Sequence, residues 1–228
     1  MLTETGRESA FSKADNEPRQ KEPIASDALA RAVQRMGAAK WFSRNAEIYG
    51  EGEPADCFYQ VLSGTVRAYK ILIDGRRQIG AFYLPGDMFG LEAGEKHIFS
   101  AEAVTNAEVL VIRRKTLTAL AASDIEVAHR LWIHTGNELR RARNHLLLIN
   151  KSAPERVATF LLEMAERIGS IDEIKLAMSR QDIADYLGLT IETVSRMLTR
   201  FESASTIALP SCKRIVLRNR AVLKRLVA

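Results

Sequence analysis

Three observations predict an α+β fold in three successive parts: a roll of short strands, a long helix and a winged helix-turn-helix. Short β-like runs punctuated by glycine fill residues 41–113. An unbroken apolar spacing of three and four residues starts at Ile125. A capped helix, a glycine turn and a second capped helix occupy residues 179–201.

The chain's 228 residues are enough for more than one core. With 46% hydrophobic and 27% charged residues it matches globular composition, which excludes collagen-like, low-complexity and wholly disordered classes. No run reaches the roughly 18 uncharged apolar residues of a membrane span. The N-terminal stretch MLTETGRESAFSKADNEPRQ lacks the apolar segment of a secretory signal. Cys57 and Cys212 are too few for a disulfide framework or a four-thiolate metal site. A cytoplasmic protein without metal or cofactor is therefore expected.

Residues 1–26 are polar and aperiodic and read as a disordered tail. Ser26-Asp27 can cap a short helix, Ala28–Met36, which Gly37 ends. The roll domain is expected over 27–122. Its strand runs include Phe58–Leu62, Thr65–Ile71, Gln78–Leu84 and Glu108–Ile112. Asp74-Gly75, between two alternating runs, predicts a hairpin, and Pro85-Gly86-Asp87 a further turn.

The long helix is expected over 123–150. Ile125, Ala128, Trp132, Thr135, Leu139, Ala142, Leu146 and Ile149 form an a/d stripe over more than three heptads. This predicts the seam of a parallel homodimer; packing of the stripe on the chain's own roll is the alternative. Arg140, Arg141, Arg143 and Asn144 fall on the solvent side. Lys151-Ser-Ala-Pro154 breaks the helix, and Val157, Phe160, Leu161, Met164 and Ile168 mark the next one.

Residues 151–228 carry the functional motif. Ser179-Arg-Gln-Asp182 is a capping box ahead of Ile183, Ala184 and Leu187. Gly188 supplies the turn and Thr190 caps a second helix with the inward stripe Val194, Leu198 and Phe201. Ile191, Glu192, Ser195 and Arg196 are then candidates for reading base edges. An arginine can donate two hydrogen bonds to guanine O6 and N7, and a glutamate can accept from cytosine N4. Glu192 and Arg196, four residues apart, project from one face; alone they would read as a surface ion pair worth about 0.3–0.5 kcal/mol. Thr206–Leu209 and Arg214–Arg218 flank Pro210-Ser-Cys-Lys as a hairpin wing. Ser179, Arg180, Thr190, Thr199, Arg200, Lys213 and Arg214 are candidates for phosphate contacts. Asn219 can cap a last helix.

Charge is uneven in the same sense. Residues 1–150 carry 20 basic and 19 acidic side chains, whereas Lys213, Arg214, Arg218, Arg220, Lys224 and Arg225 follow Pro210 without an acid. A basic end suits a polyanionic partner, although on charge alone a solvated surface is an equal reading.

These residues together resemble the CRP/FNR superfamily of bacterial transcription regulators. Phe58-Tyr-Gln-Val-x-x-Gly64-x-Val-Arg67 and Pro85-Gly-Asp-x-Phe-Gly90 are similar to the cyclic-nucleotide-binding roll. The run from Ser179 to Arg196 is similar to the family's helix-turn-helix. With its departures from the other branches, the chain resembles the FixK-type branch. Leu91 follows Gly90, and Phe99-Ser100 stands where cyclic-AMP-responsive members carry Arg-Ser, so the phosphate clamp is missing. The tail has no cysteines for an iron–sulfur cluster. His97 lies where a haem ligand would be sought, but a structural histidine is the expected reading. Ile191 replaces an arginine of the cyclic-AMP regulators and can pack on a thymine methyl.

The resemblance implies a homodimeric, sequence-specific activator that binds double-stranded DNA and RNA polymerase, and is not an enzyme. Its implied target is a palindrome close to TTGAT-N4-ATCAA, controlling microaerobic respiration or nitrogen-fixation genes without cyclic AMP or a cluster. The alternatives are the same reader gated by an unidentified small ligand in the roll, or a repressor that blocks promoters.

Overall fold

The computed structural model describes residues 35–170 and 172–227. The N-terminal tail and most of the short helix expected at Ala28–Met36 lie outside them. Two four-stranded antiparallel sheets form the roll. One runs β1 (Ala38–Phe42), β8 (Ala107–Arg113), β3 (Cys57–Ser63), β6 (Met88–Phe89). The other runs β2 (Glu47–Tyr49), β7 (Ser100–Ala103), β4 (Val66–Ile71), β5 (Arg77–Tyr83). The β4–β5 hairpin pairs Ile71 with Arg77 around the expected Asp74-Gly75 turn. Gly64 joins β3 to β4 at φ +82°, and a Cβ there would sit 2.4 Å from the Asn106 carbonyl oxygen, so only glycine fits.

The strands β1, β2, β6 and β7 and a helix α1 (Arg114–Ser123) were not among the expected elements. These strands run two to five residues, too short for two-residue alternation to register.

Asp124 separates α1 from the long helix α2 (Ile125–Ile149), its Oδ1 accepting from the backbone N–H groups of Glu126 (3.0 Å) and Val127 (3.2 Å). The helix carries two stripes. Val127, His145 and Leu148 face inward and are buried. On the other side Ile125, Trp132, Leu139 and Leu146 are 88%, 78%, 52% and 66% exposed. The chain's own roll therefore takes a different stripe from the a/d positions. Arg141, expected on the solvent side, is turned inward: Nη1 pairs with Asp87 Oδ1 (3.1 Å) and Nη2 with Glu138 Oε2 (2.6 Å). The local sequence Arg-Arg-Ala-Arg hides which arginine meets a carboxylate across the fold.

Helix α3 (Ala153–Ile168) starts at a Ser152–Glu155 capping box and ends at Gly169, φ +71°. Its face Val157, Phe160, Leu161 and Met164 is at most 1% exposed, whereas Ile168, expected on the same stripe, is 44% exposed in the last turn. The last strands form a three-stranded sheet in the order β10 (Ile207–Ser211), β11 (Arg214–Leu217), β9 (Glu173–Lys175). The hairpin was legible; β9 was not. A final helix, α6 (Arg220–Val227), is capped by Asn219, whose Oδ1 accepts from the Val222 N–H at 3.2 Å. Among the described residues no helix is long and apolar enough to cross a membrane, and no cluster of potential metal ligands occurs.

Candidate nucleic-acid interface

The helix-turn-helix consists of α4 (Arg180–Leu187) and α5 (Ile191–Ser203). Ser179 caps α4 reciprocally with Asp182: the Asp182 N–H donates to Ser179 Oγ at 3.1 Å, and the Ser179 N–H donates to Asp182 Oδ2 at 3.0 Å. Gly188 ends α4 at φ +62°, a conformation that side chains other than glycine adopt with strain. Thr190 then caps α5 by accepting from the Thr193 N–H at 3.2 Å. Val194, Leu198 and Phe201, with Met197, seat α5 on the domain core. Burying four such side chains favours one seating of α5 by roughly 1.5–3 kcal/mol each.

That seating leaves Ile191, Glu192, Ser195, Arg196, Thr199 and Arg200 exposed on the opposite side. Arg196 does not close an ion pair with Glu192; its Nη2 donates to Thr193 Oγ1 at 3.3 Å. Its guanidinium thus leans along the helix with the remaining donors open. The Glu192 carboxyl is held below its ordinary pKa by a backbone N–H and the Thr190 hydroxyl, with Arg196 adding charge, so it is an acceptor at neutral pH.

The other phosphate candidates are less open. Ser179 is half-buried, its hydroxyl donating to Asp182 Oδ2 at 2.8 Å. Arg180 is half-buried, with Nη1 enclosed and without a hydrogen-bond acceptor. Burial pulls its pKa down. Lys213 Nζ donates to the Ala177 carbonyl at 3.3 Å. Arg214 forks Glu173 of β9, Nη2 to Oε2 at 2.8 Å. The strand missed in the sequence supplies this carboxylate, so a phosphate would have to displace it.

Two arrangements were not anticipated. Arg156 of α3 gathers carbonyls from two helix ends: Nη1 donates to Leu187 at 2.9 Å and Nε to Lys151 at 2.8 Å, while Nη2 donates to Ile149. A cation among helix C-termini is favoured by their dipoles. Asp182 also takes Arg67 and Arg77 from the roll. Burial pushes the Asp182 carboxyl up, but the Ser179 donors and both guanidinium groups outweigh it and hold it below the carboxylate range. Sequence spacing cannot reveal contacts more than a hundred residues apart, and Arg67 in the strand run VRAYKI looks no different from Lys70.

Known families share this architecture. Residues 155–226 match the Crp-like helix-turn-helix domain, and residues 39–124 the cyclic nucleotide-binding domain. The chain is 51% identical over 212 residues to the nitrogen fixation regulation protein FixK of Azorhizobium caulinodans, covering 89% of this chain and 86% of that protein. It is 46% identical over 170 residues to FixK of Rhizobium meliloti, covering 74% and 77%. This chain belongs to the CRP/FNR family, in its FixK-type branch. The solved structure of FixK2 from Bradyrhizobium japonicum superposes with a TM-score of 0.81 at 49% identity, covering 85% of this chain and 98% of that one. As a CRP/FNR member, the chain is a DNA-binding transcription regulator and not an enzyme. In this FixK-type chain α4 and α5 are the family's helix-turn-helix and β2–β8 lie within its roll.

Proposed function

We propose that the chain is a homodimeric transcription activator that reads a palindrome close to TTGAT-N4-ATCAA without a nucleotide effector. The observation that carries this reading is the outer face of α5, where Ile191, Glu192, Ser195 and Arg196 stand exposed on a helix seated by Val194, Leu198 and Phe201. These side chains offer an apolar contact for a thymine methyl, an acceptor for cytosine and a donor fork for guanine. Thr190, Thr199 and Arg200 lie on the same exposed side for phosphates, with Ser179, Arg180, Lys213 and Arg214 around them.

Dimerisation is supported by the exposed seam of α2, since a monomer would leave Ile125, Trp132, Leu139 and Leu146 in water. Half-sites one helical turn apart then match a two-fold dimer.

Two features of the roll support the reading without a cyclic nucleotide. Phe99 stands where a phosphate-binding arginine is required, and its ring packs against Gly80, where a Cβ would lie 3.0 Å away. His97 is buried at 2% exposure, its Nδ1 3.3 Å from Glu92 Oε2, and stacks on Tyr49, as a structural histidine does. The relatives' names, nitrogen fixation regulation proteins, support control of nitrogen-fixation genes; control of microaerobic respiration genes and recruitment of RNA polymerase in the cytoplasm belong to the same proposal.

Selection from randomised duplexes with purified protein tests the reading. Enrichment of two inverted TTGAT-like half-sites four base pairs apart is expected; enrichment of an unrelated or unpaired sequence would overturn it.

A further inference from the structure

Helix α4 is held at its N-terminal end by charges from outside its own domain. Asp182, 4% exposed, divides its two oxygens between two tasks. Oδ2 closes the α4 cap with Ser179. Oδ1 accepts from Arg67 Nη1 at 2.8 Å and from Arg77 Nη2 at 2.7 Å. Arg67 stands in β4, itself 6% exposed, with its Nη2 on Glu102 Oε1 at 2.7 Å. Arg77 opens β5 and places Nε 2.8 Å from Asp185 Oδ2, about one turn further along α4. Gln78, next in the strand, donates Nε2 to the Asp185 carbonyl at 2.8 Å.

An apolar contact tolerates sliding; a guanidinium that bonds two carboxylates at once, as Arg67 does with Glu102 and Asp182 and Arg77 with Asp182 and Asp185, does not. Buried pairs of this kind add little net stability over an apolar replacement, so geometry is the property they supply here. The geometry matters because α5 packs on α4, while the roll holds α2 through Arg141 and Asp87. The docking of α4 on the roll therefore sets how far α5 stands from the exposed seam of α2. We propose that the Arg67–Asp182–Arg77 clamp is a positioning device that fixes the spacing between the two recognition helices of the dimer in the absence of a ligand. The inference rests on the palindrome reading above.

The test uses full-length Arg67→Met and Arg77→Met proteins, which keep an unbranched apolar stem, remove the guanidinium and leave the Ser179–Asp182 cap in place. Arg77, whose side chain is 24% exposed, provides a variant that folds should loss of the more buried Arg67 prove too severe. Affinity is measured for palindromes whose half-sites are three, four or five base pairs apart. The unmodified protein is expected to favour four by about tenfold, and each variant to compress that preference to about threefold or less. Discrimination against a G·C swap within a half-site stays unchanged, because α5 itself is intact. A merely destabilising change would weaken all three duplexes alike, and that result would overturn the clamp.

A second readout needs no DNA. With Cys57 and Cys212 replaced by serine, one spin label at exposed position 224 in each protomer reports the separation of the two DNA-binding domains. A narrow distance distribution that broadens in the variants supports the clamp; equal widths contradict it. If the unmodified protein prefers no palindrome, the function proposed above fails, while the label distances still decide on the clamp.

Discussion

Tyr49 stacks face to face on His97 inside the roll, ring centroids 3.6 Å apart and planes 13° from parallel. Tyr59 lies 5.1 Å from Tyr49, Phe89 stacks on Tyr59 at 5.1 Å, and Tyr83 on Phe89 at 4.9 Å. The chain's own rings thus fill part of the roll's core, packed with Val61, Val66 and Val109. Burial raises the Tyr49 phenol well above its ordinary pKa and pushes Tyr59 up to about 12, so both stay neutral.

Cyclic AMP is accordingly expected to leave the thermal midpoint and DNA affinity unchanged at saturating concentration. Tyr49→Ala, which removes the centre of the stack, should cost about 3–5 kcal/mol in urea unfolding. A midpoint that rises with cyclic AMP would contradict the packed roll.

Arg196→Ala is expected to lose about 1–3 kcal/mol of binding and to relax specificity at one G·C pair of each half-site. Anisotropy titrations of the palindrome and its G·C-swapped counterpart check this. Equal losses on both duplexes would reassign Arg196 to the phosphates. Arg214→Ala, by contrast, should weaken both duplexes alike if Arg214 leaves Glu173 for a phosphate.

Trp132→Glu places a charge at an a position that is 78% exposed in the single chain. Sedimentation velocity should show a monomer, and the palindrome should then bind no better than one half-site. A Trp132→Glu dimer would mean that another surface joins the protomers.

His145 couples pH to domain packing. It lies on α2, with its ring edge-on to Tyr186 of α4 at 4.3 Å. Burial lowers its pKa from 6.5, outweighing the backbone groups of Gly80 and Tyr186. The unfolded chain therefore takes up this proton more readily than the folded one. His145 is thus expected to cost nothing above about pH 6.5 and to subtract stability as pH falls below that value. Urea unfolding at about pH 7.5 and about pH 5.5 should show a smaller acid loss for His145→Gln than for the unmodified protein. Parallel losses would contradict the assignment.

The order of parts was legible because each has its own periodicity and punctuation. The capping residues Ser179 and Thr190, Gly188 and the inward stripe of α5 stand where local chemistry put them. Contacts between parts were not legible. Arg141 and Arg143 look alike in sequence, yet only a fold that brings Asp87 to α2 turns Arg141 inward. Lys213 and Arg214 look free until Ala177 and the unpredicted strand β9 are placed beside them. Asp182 reads as a cap from its spacing to Ser179; its second oxygen serves residues over a hundred positions away. Local rules find helix ends and turns, whereas ionic contacts across domains need the tertiary arrangement.

In the function proposed above, the chain reads its site as a dimer and without a small-molecule effector. Fluorescence anisotropy of the purified full-length protein on a TTGAT-N4-ATCAA duplex, at physiological salt and with no nucleotide added, tests it most directly. Binding with a dissociation constant on the order of 10 nM, weakened by about 1–3 kcal/mol for each swapped G·C pair, is the predicted result. Weak binding of equal strength on both duplexes, restored only by an added ligand, would contradict it.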